Sequence, residues 1–214
     1  MKSYFFMFRV VSVLTLFLLV FNVNAMSSKV FKRCTYSEDN CYRQLRQAIQ
    51  AEDIKLVKSL IKRGADVNAT NKYGETVLMW ASESKNPEST KLLIEAGVDV
   101  QAKDRYGFTA LHYAVRSENP ESAKLLIEAG ADVQAKDRWY GFTALHLALR
   151  YGDPEKAKLL IEAGADVNAK NEYGETALHY ASAYGNPEST KLFIEAGTDV
   201  HATNKNGYTA LHKS

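Results

Sequence analysis

The residues in this chain of 214 that are best equipped for chemistry are four histidines set at a fixed beat. His112, His146, His179 and His212 follow one another at intervals of 34, 33 and 33 residues. Imidazole binds transition metals and exchanges a proton near neutral pH, so such a series could be a run of ligands or of general bases. Glu88, Glu121, Glu155 and Glu188 keep the same beat and could add carboxylates. Two cysteines, Cys34 and Cys41, stand with six residues between them; thiols offer a nucleophile, a metal ligand or a disulfide. The beat itself argues against a shared site, because equivalent residues on stacked units lie roughly 10 Å apart, too far for one metal ion. The glutamates each fall in the first turn of a helix pattern, where the helix dipole is reason enough for an acid. The chain carries no phosphate-cradling glycine loop, no serine elbow and no H-E-x-x-H helix. We therefore expect no catalytic residues, no cofactor, no metal and no small-molecule substrate.

The elements that carry these residues are copies of one stretch, Asp104 to Lys136. One glycine recurs as Gly74, Gly107, Gly141, Gly174 and Gly207, and a second as Gly64, Gly97, Gly130, Gly164 and Gly197. A period of this size means a solenoid whose units bury their apolar faces against one another. Within the unit, Thr109 opens a short helix with the apolar stripe Leu111, Ala114 and Val115. Asn119-Pro120-Glu121 starts a second helix, with asparagine at the N-cap, proline at the first helical position and an acid near the positive end. Asp153-Pro154-Glu155 does the same in the next copy. The second helix carries Ala123, Leu125, Leu126 and Ile127 and should stop at Gly130 in the left-handed region. The segment from Ala131-Asp132-Val133 to the next turn glycine reads as an extended arm and a tight reversal.

Thr-Ala-Leu-His stands at Thr109–His112, Thr143–His146, Thr176–His179 and Thr209–His212, and Gly-Ala-Asp-Val-Asn-Ala at Gly64–Ala69 and Gly164–Ala169. On these motifs the chain closely resembles the ankyrin repeat. The first copy departs from it with Thr76-Val77-Leu78-Met79. The resemblance implies an all-α ankyrin-repeat solenoid of helix-turn-helix units with protruding β-hairpin loops. It also implies that the recurring histidine bonds to the backbone of neighbouring hairpins. The repeats fall at about 41–70, 71–103, 104–136, 137–170 and 171–203, with a partial one at 204–214, so the domain is 41–214. The first has Leu45, Ala48 and Ile49 on one helix face and Ile54, Val57, Leu60 and Ile61 on the other; Arg43, Gln44, Arg46, Gln47 and Lys55 give it a polar outer side, as an end cap needs. At the other end no polar closing helix follows, so the ridge of Leu192, Phe193 and Ile194 is expected to be partly covered.

Residues 1–25 carry Lys2 and Arg9, an apolar run from Val10 to Phe21, and Val23-Asn24-Ala25. This is the pattern of a cleaved signal peptide. The alternative is an anchor over residues 4–21, the one case that would bring a membrane into play. Residues 26–40 form a leader without the repeat pattern. Export would favour a Cys34–Cys41 disulfide, against two free thiols in a reducing compartment. The expected location is secreted or periplasmic, or membrane-anchored under the alternative. Cleavage would remove two of 27 basic residues and none of 25 acids, leaving 25 against 25. Such a balance excludes a nucleic-acid binder built on charge.

What varies between copies is the turn tip and the end of the first helix. The resemblance places both on a concave face that contacts a protein partner. The tips offer Tyr73; Arg105, Tyr106 and Phe108; Arg138, Trp139, Tyr140 and Phe142; and Tyr173. The helix ends offer Arg116, Arg150, Tyr151 and Tyr184. Arginine with large aromatics is the mixture enriched in binding hot spots. The spacing of 34 from Gly107 to Gly141 places one extra residue in the fourth repeat's tip, which should push Trp139 outward. The expected function is a non-enzymatic, exported protein-binding module. The alternatives are a membrane-anchored scaffold or a regulatory or inhibitory subunit of an enzyme.

Overall fold

The computed structural model describes residues 38–184 and 187–213. The expectations for residues 1–25, for the leader as far as residue 37 and for Cys34 lie outside the described residues. Ten α-helices follow in chain order: α1 Glu38–Gln50, α2 Ile54–Lys62, α3 Val77–Glu83, α4 Glu88–Glu95, α5 Ala110–Ala114, α6 Glu121–Glu128, α7 Ala144–Arg150, α8 Pro154–Glu162, α9 Ala177–Ala183 and α10 Pro187–Glu195. A 3-10 turn, Ala210–Lys213, comes last. The odd-numbered helices pack on one another in sequence, from α1 on α3 through α7 on α9, and the even-numbered ones do likewise. The closeness is uneven, since α2/α4, α4/α6 and α8/α10 meet firmly while α6 and α8 are looser.

The expected local signals hold at Asp153-Pro154, whereas α6 begins at Glu121 with Pro120 rather than Asn119 in the cap position. Leu111, Ala114 and Val115 are buried, as are Ala123 and Leu126. Asn119 Oδ1 accepts the Glu121 N–H at 2.9 Å, and Asp153 Oδ1 accepts that of Lys156 at 2.9 Å. Helix α6 ends with Gly130 at φ 84°, and the Ala131 N–H returns to the Leu126 carbonyl at 2.9 Å. This is the six-to-one closure that a left-handed residue makes possible. The reversals between repeats are turns, without strands among the described residues; their antiparallel pairing is reduced to one bridge, Thr70 with Thr76.

At the ends, the expectation for Arg46 changes and that of a partly covered C-terminal ridge holds. Arg46, expected on the polar outer side, is half-buried and lies over the Trp80 ring at 4.0 Å. Trp80 in turn donates its indole N–H to the Tyr42 hydroxyl at 3.0 Å. The guanidinium gains more over that ring than in water because its flat face is weakly hydrated. At the far end, Phe193 is fully buried in the core and only Ile194 of the expected ridge is strongly exposed.

Candidate functional site

The histidines are built into the frame. In α5 the Thr109 N–H donates to His112 Nδ1 at 3.1 Å, and His112 Nε2 meets the Phe142 carbonyl of the next tip at 3.1 Å. Because Nδ1 accepts, the proton sits on Nε2 and donates to that carbonyl. His146 repeats the arrangement with Thr143 and the Glu175 carbonyl, and His179 with Thr176 and the Tyr208 carbonyl. Each histidine caps its own helix with one nitrogen and holds the following repeat with the other. Burial pushes the His112 imidazole down, and it pushes His146 down to about 4, so both are neutral at pH 7. In the first full copy Met79 stands in this place, and its sulfur takes the Thr76 N–H at 3.4 Å. Among the described residues no group of three or more histidine, cysteine or acidic side chains is arranged to hold a metal.

A second ladder ties the tips together. The Arg105 N–H donates to the Tyr73 carbonyl, Arg138 to Tyr106, Glu172 to Tyr140 and Lys205 to Tyr173, all at 2.8–2.9 Å. The chain below a tip therefore passes so close that Gly107, at φ 87°, could not carry a Cβ; the added atom would lie 2.9 Å from Arg138 Cγ. The ladder also identifies the extra residue. Tyr140 keeps the register of Tyr106 and Tyr173, so Trp139 is the insertion. Asp104 holds its tip with one oxygen, Oδ1, on Tyr106 and Phe108. Asp137 spans the wider turn with both, Oδ1 on Trp139 and Tyr140 and Oδ2 on Phe142.

The thirteen expected contact residues divide by position. Tyr140, Phe142, Arg150, Tyr173 and Tyr184 come together, with Glu175, Tyr180, Asn204, Lys205 and Asn206, around one open groove of about 620 Å³. Phe142 needs correction as a display residue. It is only 4% exposed because its ring stacks between Tyr140 and His146 with Tyr180 edge-on, so it floors the groove. Phe108 is half-buried against His112 and Tyr113. Trp139 is 60% exposed and rests edge-on against Tyr106 at 4.7 Å. Arg105 lies between the Tyr73 and Tyr106 rings, Arg138 is exposed beside it, and Arg116 pairs with Glu83 at 3.2 Å. Tyr73 borders a smaller hollow with Tyr42, Arg43 and Arg46, and Tyr151 stands exposed at the end of α7.

Sequence reasoning passed over Tyr180 and Glu175. Tyr180 donates to Glu175 Oε2 at 2.6 Å, and its hydroxyl is pushed far up by burial and then by that carboxylate. Tyr113 behaves the same way toward Asp104 at 3.0 Å. The signal was the residue after the histidine, Tyr113 and Tyr180 in two copies, Leu147 between them and Lys213 in the partial last one.

A family model for ankyrin repeats (3 copies) matches residues 45–137 and 145–214. The chain belongs to the ankyrin-repeat family. A second model, ankyrin repeats (many copies), matches residues 117–161, across the break that the widened Trp139 tip leaves in the first. No curated protein matches the chain. Ankyrin repeats generally mediate protein–protein interaction, and proteins built from them are typically non-enzymatic.

Proposed function

We propose that this ankyrin-repeat protein is an exported, non-enzymatic module that occupies the surface of a protein partner through its tips and first-helix ends. One observation carries the reading. Leu56 and Ile194 are exposed on the second helices of the first and fifth repeats, and Val200, Tyr208 and Leu211 towards the C-terminal end; the other exposed large hydrophobic side chains among the described residues are Tyr73, Trp139, Tyr140, Tyr151, Tyr173 and Tyr184. All six stand on tips or first-helix ends and none on a second helix. Apolar surface gathered on one face is what a binding protein shows and a solitary domain avoids. Arg105, Arg138 and Arg150 on the same face favour a partner of acidic or mixed surface.

Trp139→Ala tests this face. The side chain is 60% exposed, so the substitution should change unfolding free energy by no more than about 0.5 kcal/mol. Binding to a partner captured with the mature chain should weaken by about 2 kcal/mol, near 30-fold, as for a hot-spot tryptophan. Unfolding of the array by this substitution would make Trp139 a packing residue and move the binding face elsewhere.

Export rests on residues 1–25 and on the cysteine pair. No helix among the described residues is long and apolar enough to cross a membrane. Mass spectrometry of the protein from its native host should find Met26 at the N-terminus and, with alkylation before reduction, no free thiol, Cys34 being bonded to Cys41. An intact Met1 species in the membrane would establish the anchor, and two alkylated thiols would remove the disulfide.

A further inference from the structure

The groove that runs from the fourth repeat to the tip of the sixth carries two cations, Arg150 and Lys205, that make no ion pair among the described residues. Arg116, one repeat earlier, is paired because Glu83 stands beside it on the preceding first helix. Arg150 occupies the same place in its own repeat, but its neighbours there are Arg116 on one side and Ala183 on the other. Among the described residues neither Arg150 nor Lys205 has a carboxylate within ion-pair distance. The one acid lining the groove, Glu175, is 8% exposed. Its Oε2 takes the Tyr180 O–H at 2.6 Å and the Asn171 amide at 3.5 Å, so that carboxylate is engaged in the groove wall and makes no ion pair with Arg150 or Lys205.

Resting on the protein-binding reading above, we infer that this groove is the anchoring site. Its ligand is a linear segment of the partner in which an aspartate or glutamate adjoins an aromatic or large aliphatic side chain. The carboxylate meets Arg150 and Lys205, two cationic donors whose hydrogen bonds to a carboxylate are charge-assisted. The neighbouring apolar side chain lies against Tyr140, Tyr173 and the Phe142 floor, where offset ring contacts are available. Tyr140 and Tyr173 are already stacked at 6.1 Å and 30°, so the platform needs no rearrangement. Asn204 and Asn206 line the groove as well and offer amides to the backbone of an extended segment. A volume of about 620 Å³ suits a pair of side chains rather than a folded domain. The 25-to-25 charge balance of residues 26–214 gives a polyanion such as nucleic acid no broad field to follow.

The test is selection of random dodecapeptides displayed on phage against the full chain, followed by titration of the selected peptides into wild type and R150E/K205E. Both side chains are exposed, so thermal unfolding of the double variant should match wild type, which is checked first. The expected result is a pool rich in Asp or Glu next to Phe, Tyr, Trp, Leu or Ile, binding the variant at least tenfold more weakly. Selected peptides without acidic residues, or equal binding to the variant, would overturn the inference. If selected peptides lose binding with Trp139→Ala but not with R150E/K205E, the groove assignment falls and the protein-binding reading stands. If the chain enriches no peptide and retains no protein in a pull-down, both fall. Phenylacetate binding as tightly as the selected peptides would make the groove a small-molecule site and overturn the peptide assignment.

Discussion

Lys156→Met is expected to lower the unfolding free energy by about 3 kcal/mol, the scale for breaking one partner of a buried ion pair. Lys156 is 2% exposed. Its ammonium donates to the Ser117 carbonyl, to Asp153 Oδ2 and, at 3.5 Å, to the Val115 carbonyl. The second, third and fifth repeats place a buried serine here, Ser89, Ser122 and Ser189, and an asparagine where this one has Asp153. The two changes belong together: the long cation crosses to the carbonyls at the end of α5, and the acid that caps α8 balances it. Removing only the ammonium orphans the carbonyls it holds and leaves Asp153 without its counter-ion. The double variant Asp153→Asn/Lys156→Ser restores the chemistry of the neighbouring repeats and should recover at least half of the loss. Urea unfolding at pH 7 reads both. A single variant as stable as wild type, or a double variant worse than the single, would show that the pair does not bind the third repeat to the fourth.

That pair marks how far the sequence could be read. The period fixed the helices, their caps and the stacking, because each rests on contacts within a repeat or between identical repeats. Leu111, Leu145 and Leu178 had to share one fate once the beat was found. Trp139 was legible for the same reason, since an insertion shows against a fixed count. Lys156 was not, although it breaks a row of serines. A charge on a helix reads as solvent-facing unless the carbonyls it reaches are known, and those lie 39 and 41 residues back. Arg46 was misread by the same logic, its partner Trp80 being supplied by the next repeat. The groove was half legible. Arg150 and Tyr184 were marked by their variation and Tyr140 and Tyr173 by their place at the tips, but Phe142 looked displayed because sequence does not say that its ring stacks between Tyr140 and His146. The absence of an acid beside Arg150 became informative only once Arg116 was seen paired with Glu83.

The second large effect is loss of stability in mild acid. His112 and His146 are each 1% exposed, and each accepts a threonine N–H at Nδ1. A proton on Nδ1 would set two N–H groups against each other and put a charge in the core. Burial is the main cause that depresses both imidazoles. For His146 Lys136 adds to the depression and Glu175 opposes it, and for His112 Asp137 and Asp104 oppose while Lys103 adds. In the unfolded chain a histidine titrates near about 6.5. The folded value lies below the unfolded one, so as pH falls the unfolded state takes up protons first and gains. The loss is absent above about pH 7, grows from about 6.5 downward and levels off below the folded value, about 4 for His146. Over that span His146 alone should account for about 3 kcal/mol, and His112 acts in the same direction. The urea midpoint should therefore fall steadily between pH 7 and pH 4.5, a window above most carboxylate titration. His146→Gln should start less stable, through the lost bond to the Glu175 carbonyl, yet show a flatter pH dependence. A wild-type midpoint constant across that window, or a His146→Gln variant with an undiminished slope, would mean that these histidines are not the acid-sensitive joints between repeats.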